Sequence, residues 1–183
     1  MKIVVTGASG RFGQAAVRLL LDLMPASDLI LMSRQPEKLA EFAALGAETR
    51  YGDFDDPAAL RQAFAGGERL LLISAVKVGH RVAQHGRAID AARDAGVGHI
   101  VYTSLIGATP ENPALVSDDH CGTEALLRAS GLAWTALRDG QYADAMADAA
   151  APQAIRSGRS GLGACAGSRS MRAGIATPLG ITR

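Results

Sequence analysis

Short apolar runs alternate, over about the first 140 residues, with longer segments in which apolar positions recur every three or four residues. Several of the short runs are continuously apolar, which is typical of strands buried on both faces of a sheet. The runs predict six strands: Lys2–Thr6, Leu29–Ser33, Glu48–Gly52, Leu70–Ala75, His99–Ser104 and Ala133–Arg138.

The segments between these strands have the spacing of amphipathic helices. They predict helices over Phe12–Leu23, Pro36–Leu45, Pro57–Ala65, His80–Ala95 and Ser117–Ala129. Pro36 and Pro57 stand where first-turn prolines belong, and Gly46, Gly96 and Gly131 follow three of the helices, where a left-handed stop is expected. Strand–helix alternation at this period predicts a Rossmann-like, doubly wound α/β fold with a parallel sheet.

The C-terminal part of the chain has a different composition. Met1–Asp148 carries 14 Lys and Arg and all 18 Asp and Glu, whereas Ala149–Arg183 carries five Arg and no acidic residue. We therefore expect a folded domain over residues 1–150, and an irregular Gly/Arg-rich tail over residues 151–183 in place of a complete substrate portion. A shifted reading frame near Ala154–Gly163, or a truncation, would explain the change.

The overall composition limits the classes of protein to consider. A chain of 183 residues that is 48% hydrophobic can bury one sizeable core, and its net charge of +1 favours no charged partner. No apolar run is long enough to span a membrane, and the N-terminus has no cleavage pattern. Cys121 and Cys165 form no metal-ligand spacing, so we expect a cytoplasmic protein without a metal. The tail has no aromatic residues to stack on bases, so we expect no nucleic-acid partner.

A glycine-rich stretch, "TGASGRFG" (Thr6–Gly13), joins the first predicted strand to the first helix. In that position glycines allow a tight turn, a close approach of backbone N–H groups to a pyrophosphate, and close packing of helix on strand. The alternative is a turn without a ligand. We expect the loop to bind a dinucleotide through Gly7, Ala8, Ser9, Gly10, Arg11, Phe12 and Gly13.

The end of the second strand indicates which dinucleotide binds. Sites for NAD place an acidic residue there to hold the ribose 2′-hydroxyl, but this chain offers Ser33 and Arg34. An arginine forks onto a 2′-phosphate, and Arg11 in the glycine loop offers a second positive charge. Both arginines have the alternative of being solvated loop charges. NADP is favoured over NAD.

The glycine spacing resembles that of the short-chain dehydrogenase/reductase superfamily. Two later stretches, "GVGHIVYTSLIGA" (Gly96–Ala108) and "HCGTEALLRASGLAWTALRDGQYAD" (His120–Asp144), resemble its NmrA-like atypical group, and within that group the NAD(P)H:quinone oxidoreductases of the QOR2 type. The resemblance covers about Met1–Met146. It implies NADPH-dependent, two-electron reduction of a quinone without a flavin.

The resemblance also implies further cofactor contacts. It places Asp53 and Phe54, after the third strand, against the adenine ring. Ser74 and Ala75, at the end of the fourth strand, are expected near the nicotinamide ribose, because open α/β sheets bind ligands at the carboxyl ends of their strands.

The chain departs from the superfamily at the catalytic pair. Ordinary short-chain reductases carry Tyr-x-x-x-Lys, but the positions four residues after the three tyrosines hold Asp55, Ile106 and Met146. We expect Ser104, His120 and Tyr142 to act as polar helpers in catalysis. The alternatives are a helix-cap or surface role for His120 and a packing role for Tyr142. Glu124 is expected to pair on its own helix face, and Arg138 is either structural or adjacent to the cofactor.

Two functions follow from these patterns. The first is an NADPH-dependent oxidoreductase that transfers a hydride to a small quinone-type acceptor. The second is a non-catalytic, NADP-binding redox sensor of the NmrA type. A nucleotide-sugar epimerase or dehydratase is disfavoured because it needs the missing Tyr–Lys pair, and a homodimer is left open.

Overall fold

The computed structural model describes residues 1–140, which form one compact unit. Within it a six-stranded sheet has the order β3-β2-β1-β4-β5-β6, and every neighbouring pair is parallel. The strands are β1 (Ile3–Val5), β2 (Leu29–Ser33), β3 (Glu48–Tyr51), β4 (Arg69–Leu72), β5 (His99–Leu105) and β6 (Ala133–Asp139). This arrangement confirms the predicted Rossmann-like, doubly wound α/β fold.

Five α-helices connect these strands: α1 (Arg11–Leu21), α2 (Ala40–Ala44), α3 (Pro57–Phe64), α4 (Arg81–Asp94) and α5 (Leu115–Ala129). Each face of the sheet has its own apolar core. On one face Val4, Ile30 and Leu70 pack with residues of α3, α4 and α5. On the other face Val5 and Leu31 pack with residues of α1 and α2. Burial on both faces explains why the central strands are continuously apolar.

The second predicted helix differs most from the prediction. Pro36–Leu39 forms a 3-10 turn, and only the five residues of α2 continue it as an α-helix. Ser33 does not cap this segment, although its hydroxyl accepts a hydrogen bond from the Gln35 N–H at 2.9 Å. By contrast, α3 begins as expected at a proline, and Asp56 caps it by accepting the N–H groups of Ala58 and Ala59.

The glycine stops are confirmed. Gly46, Gly96 and Gly131 have φ angles of 99°, 76° and 75°, which lie in the left-handed region. Among residues 1–140, no helix is long and apolar enough to cross a membrane. The predicted tail (residues 151–183) and the predicted catalytic Tyr142 lie outside the described residues.

Candidate functional site

A cavity of about 930 Å³ opens at the carboxyl edge of the sheet, beside the ends of β1, β2, β3 and β4. That volume suits a large organic ligand. It is lined by Gly7, Ser9, Gly10, Arg11, Phe12, Gly13, Met32, Ser33, Arg34, Gln35, Gly52, Asp53, Phe54, Asp55, Ile73, Ser74, Ala75, Val76, Lys77 and Gln84. All the predicted cofactor-binding residues except Ala8 belong to this lining. Ala8 is fully buried, and its N–H donates to the Met32 carbonyl at 3.1 Å, which ties the glycine loop to β2.

The glycine loop, residues Gly7–Gly13, has a backbone that other residues would distort. Gly7 has a φ of 59°, and its carbonyl accepts the Gly10 N–H at 2.9 Å. A Cβ at Gly13 would lie 2.3 Å from the Gly7 carbonyl oxygen and 2.8 Å from the Ala8 Cα. Because both neighbours are backbone atoms, neither can move aside. The loop therefore requires glycine at position 13 for α1 to start this close to β1.

The N-terminus of α1 opens into the same cavity. Its N-cap residue, Gly10, offers no side-chain hydrogen bond, and the first turn has no acidic residue. The first-turn N–H groups and the helix dipole are thus directed at the cavity without a side-chain cap. Arg11 and Phe12 line the cavity in this first turn. Such a helix end suits an anionic group such as a pyrophosphate.

The end of β2 forms the next wall of the cavity. The Ser9 and Ser33 hydroxyls are hydrogen-bonded at 2.8 Å, which joins the glycine loop to β2. Arg34 follows immediately, is exposed, and lines the cavity. No acidic residue occupies Ser33–Gln35. This corner of the cavity therefore presents hydroxyls and a guanidinium, and these groups fit a phosphate better than a neutral ribose hydroxyl.

The loop after β3 carries Asp53, Phe54, Asp55 and Asp56. The Asp53 carboxylate accepts the Asp55 N–H at 3.0 Å, which fixes the orientation of that carboxylate beside the cavity. Phe54 packs its ring edge against His85 of α4, with the ring centroids 5.9 Å apart. The loop is thus attached to α4 as well as to β3.

His85, a residue that sequence reasoning missed, fixes the end of β4. It is fully buried, and its Nε2 accepts the Ala75 N–H at 2.9 Å. Because Nε2 accepts, Nδ1 carries the proton and donates to the Thr123 hydroxyl at 2.8 Å. Burial lowers the pKa of His85 to about 3, so the ring is neutral at ordinary pH. The signal was its spacing, since His85, Ala88, Ile89 and Ala92 share one buried helix face.

His120 is buried, not a helix cap or a surface residue. It is 6% exposed, and its Nδ1 lies 2.7 Å from the hydroxyl of Tyr102, a fully buried residue of β5. Its Nε2 lies 3.4 Å from Nη1 of Arg81, which can only donate, so Nδ1 carries the proton and donates to Tyr102. Burial lowers the pKa of His120 and raises that of Tyr102 to about 12.

Ser104 lies one residue before the end of β5, which extends to Leu105, and its hydroxyl is already engaged. It donates to Glu124 Oε1 at 2.7 Å. Arg138 of β6 donates to the same carboxylate through Nε at 2.9 Å and Nη2 at 2.6 Å. The bonds from Arg138 hold the pKa of Glu124 below its usual value. Glu124 also pairs on its own helix, as expected, with Arg128 one turn away at 4.0 Å. The closer partner is Arg138 of β6, at 2.6 Å, which the sequence did not identify.

The residues present fit an NAD(P)H molecule. The glycine loop and the uncapped start of α1 suit the pyrophosphate, and Arg34 suits a 2′-phosphate. Neither Ser104 nor His120 belongs to the cavity lining in the described part of the chain. Within residues 1–140, no group of three or more His, Cys, Asp or Glu side chains could hold a metal ion.

Comparison with known proteins supports the same assignment. The model of a family described as NAD(P)H-binding matches residues 7–171. Quinone oxidoreductase 2 of Escherichia coli is 42% identical over 156 residues, which cover 85% of this chain and 54% of that protein. An NmrA-like family domain-containing oxidoreductase of Aspergillus flavus is 34% identical over 79% of this chain and 49% of its own length.

Solved structures agree with these matches. The Escherichia coli quinone oxidoreductase QOR2 in complex with NADPH has a TM-score of 0.79 at 42% identity, and the match covers 85% of this chain and 54% of that one. Triphenylmethane reductase of Citrobacter in complex with NADP(H) also has a TM-score of 0.79, at 35% identity over 86% and 55% of the two chains. The chain spans about half the length of the curated relatives it matches. It belongs to the family described as NAD(P)H-binding.

Proposed function

We propose that this protein is an NADPH-dependent oxidoreductase that reduces a quinone or a similar acceptor by two electrons. The observation that carries the proposal is the cavity wall made by the glycine loop and Ser33–Arg34, which joins a pyrophosphate cradle to a guanidinium with no acidic residue between them. The relatives add support, since an NADPH complex of a quinone oxidoreductase matches this chain closely.

Bound NADPH would supply the hydride, and the protein's own residues would hold and orient it. The α1 N-terminus and the glycine loop would bind the pyrophosphate, and Arg34 with Arg11 would hold the 2′-phosphate. Ser74 and Ala75, two and three residues after β4, would lie along the nicotinamide half of the molecule. Holding donor and acceptor together supplies much of the rate in such transfers.

Reduction of a quinone to a hydroquinone also consumes a proton. We propose Ser104, His120 and Tyr142 as polar helpers for that step. His120 already donates through Nδ1 to Tyr102, which makes a continuous hydrogen-bonded pair between α5 and β5. Because the pKa of Tyr102 is raised to about 12, its hydroxyl keeps its proton at neutral pH.

The test is oxidation of NADPH by the whole chain in the presence of a simple benzoquinone, followed by loss of the reduced nicotinamide absorbance. We expect a rate well above that of NADPH and quinone alone. The Gly13→Ala variant serves as the matched control, because it keeps every polar group and fills the cradle. A wild-type rate equal to the background would contradict an enzymatic function.

A second function has its own supporting observation. Ser104 and His120 are bonded to buried neighbours, not directed into the cavity. This arrangement suits an NADP-binding redox sensor that binds the cofactor without turning it over. The sensor predicts tight NADPH binding by calorimetry together with no quinone-dependent oxidation.

We further expect a cytoplasmic protein, as a monomer or a homodimer. Fractionation of the native host, and light scattering on the purified chain, test the two expectations separately.

A further inference from the structure

The loop after β3 (Asp53–Asp56), where the adenine ring is expected, is hydrogen-bonded to α4. Arg87 Nε donates to the Phe54 carbonyl at 2.7 Å, and Arg87 Nη2 donates to the Asp55 carboxylate. Gln84, three residues earlier on the same helix, donates through Nε2 to the other oxygen of that carboxylate at 2.9 Å. Residues three apart on a helix lie on one face, so the two side chains act on the same loop.

The bonds continue from Asp55 to Asp53. The Asp55 N–H donates to Asp53 Oδ1. Asp55 is therefore bonded to α4 through its side chain and orients the Asp53 carboxylate through its backbone. Asp53 lines the cavity, whereas Arg87 does not. Because the N–H bond to one oxygen fixes the orientation of the carboxylate, its other oxygen can accept a hydrogen bond from the exocyclic amine of adenine.

We infer that Arg87 and Gln84 are positioning residues for the adenine end of the cofactor. Their three hydrogen bonds set the place of Phe54 and Asp55, and Asp55 sets the orientation of the Asp53 carboxylate. Arg87 acts without lining the cavity. Together Arg87 and Gln84 would make the site select adenine over a purine that lacks the exocyclic amine. The inference rests on the proposed binding of NADPH and deepens it.

The alternative is that these bonds only stabilise the fold. Loss of fold stability would weaken the binding of every dinucleotide by the same factor. Loss of a positioned carboxylate would weaken only the ligand that the carboxylate recognises. The ratio of two affinities separates the two effects, because a uniform loss cancels in it.

The experiment measures, by calorimetry on the whole chain, the dissociation constants of NADPH and of its hypoxanthine analogue, in which an oxygen replaces the adenine amine. We expect the wild type to prefer NADPH. Arg87→Met, which keeps the aliphatic stem, should lower that preference by roughly threefold, as expected for a partly exposed ion pair with an added hydrogen bond. Arg93→Met is the matched control on the same helix, since Arg93 pairs with Asp90 and Asp94 of that helix.

The outcomes separate the inference from the proposed function. A wild type that binds neither dinucleotide contradicts the proposed function itself, and the inference with it. A wild type that binds both equally, or an Arg87→Met variant that keeps the wild-type ratio, overturns the inference alone. If Arg87→Met does not fold, Gln84→Leu is compared with Gln62→Leu, an exposed glutamine on α3, and the same fall in the ratio is required.

Discussion

Two regions of the carboxyl edge of the sheet contrast in what they offer a ligand. The glycine loop offers backbone N–H groups and an uncapped helix end, held in place by one backbone bond to β2 and by the close packing of Gly13. The polar cluster of β5, α5 and β6 (Tyr102, Ser104, His120, Glu124 and Arg138) offers side chains that are already bonded to one another.

The two regions are therefore expected to serve different steps: the glycine loop binds the cofactor, and the polar cluster takes part only in proton transfer. The backbone cradle depends on the conformation of a few consecutive residues, Gly7–Gly13, and on their contact with the end of β2. The polar cluster joins β5, α5 and β6 through hydrogen bonds. A catalytic step that used the cluster would have to take a proton from one of these bonded side chains. The cradle is therefore expected to fail on a small local change, and the cluster to affect stability before it affects binding.

The largest expected effect on binding comes from filling the cradle. Gly13→Ala places a Cβ against two backbone groups, so we expect NADPH affinity to fall by about a hundredfold or more, in line with the cost of overpacking. Calorimetric titration measures it. The control is Gly98→Ala, where the nearest atom to the new Cβ is 3.7 Å away. An unchanged affinity in Gly13→Ala would show that the loop is not the pyrophosphate site.

The next effect is on stability in acid. The pKa of His85 is about 3 in the folded protein against 6.5 in the unfolded chain, so between these values only the unfolded state takes up the proton. The free energy of unfolding should therefore fall as the pH drops from about 6.5 towards 3, by up to about 1.4 kcal/mol per pH unit from this residue.

Urea unfolding at a series of pH values measures this dependence. His85→Gln, whose amide can both accept from Ala75 and donate to Thr123, should flatten the curve. His99→Gln is the control, because His99 lies at the start of β5 and is only half-buried. Parallel curves for the wild type and His85→Gln would mean that His85 is not the group being titrated.

A smaller effect is expected at the polar cluster. Glu124→Gln removes the charge that faces Arg138, so the thermal midpoint should fall by several degrees while NADPH affinity stays within about twofold of the wild type. Glu41→Gln breaks a surface pair with Arg18, in which both side chains are more than half exposed, and should leave the midpoint almost unchanged. A loss of NADPH affinity in Glu124→Gln would instead place the polar cluster in the binding site.

The same contrast explains what could be predicted from the sequence. The glycine loop, the alternation of strands and helices and the stops at Gly46, Gly96 and Gly131 depend on local patterns, which neighbouring residues encode. The bond from His85 to Ala75 and the pairing of Glu124 with Arg138 depend on which elements pack together. The helical spacing of His85 with Ala88, Ile89 and Ala92 is a signal of burial, but it does not name the partners of the ring. The burial of His120 against Tyr102 was likewise not predicted.

The weak second helix has a similar explanation. The five residues of α2 follow a 3-10 turn that has no side-chain cap. The apolar spacing correctly predicted a helical segment, but no capping side chain fixes where the α-helix begins. The third helix shows the opposite case. Pro57 marks its first turn in the sequence, and the Asp56 side chain caps that turn in the structure.

On the geometry described above, the glycine loop and Arg34 together should bind NADPH in preference to NADH. The most direct test measures the affinities of both cofactors for the wild type and for Arg34→Ala. We predict that the wild type prefers NADPH by about tenfold or more, as one charge-assisted phosphate contact provides, and that Arg34→Ala removes most of this preference. Equal affinities of the two cofactors in both proteins would mean that Arg34 does not select the 2′-phosphate.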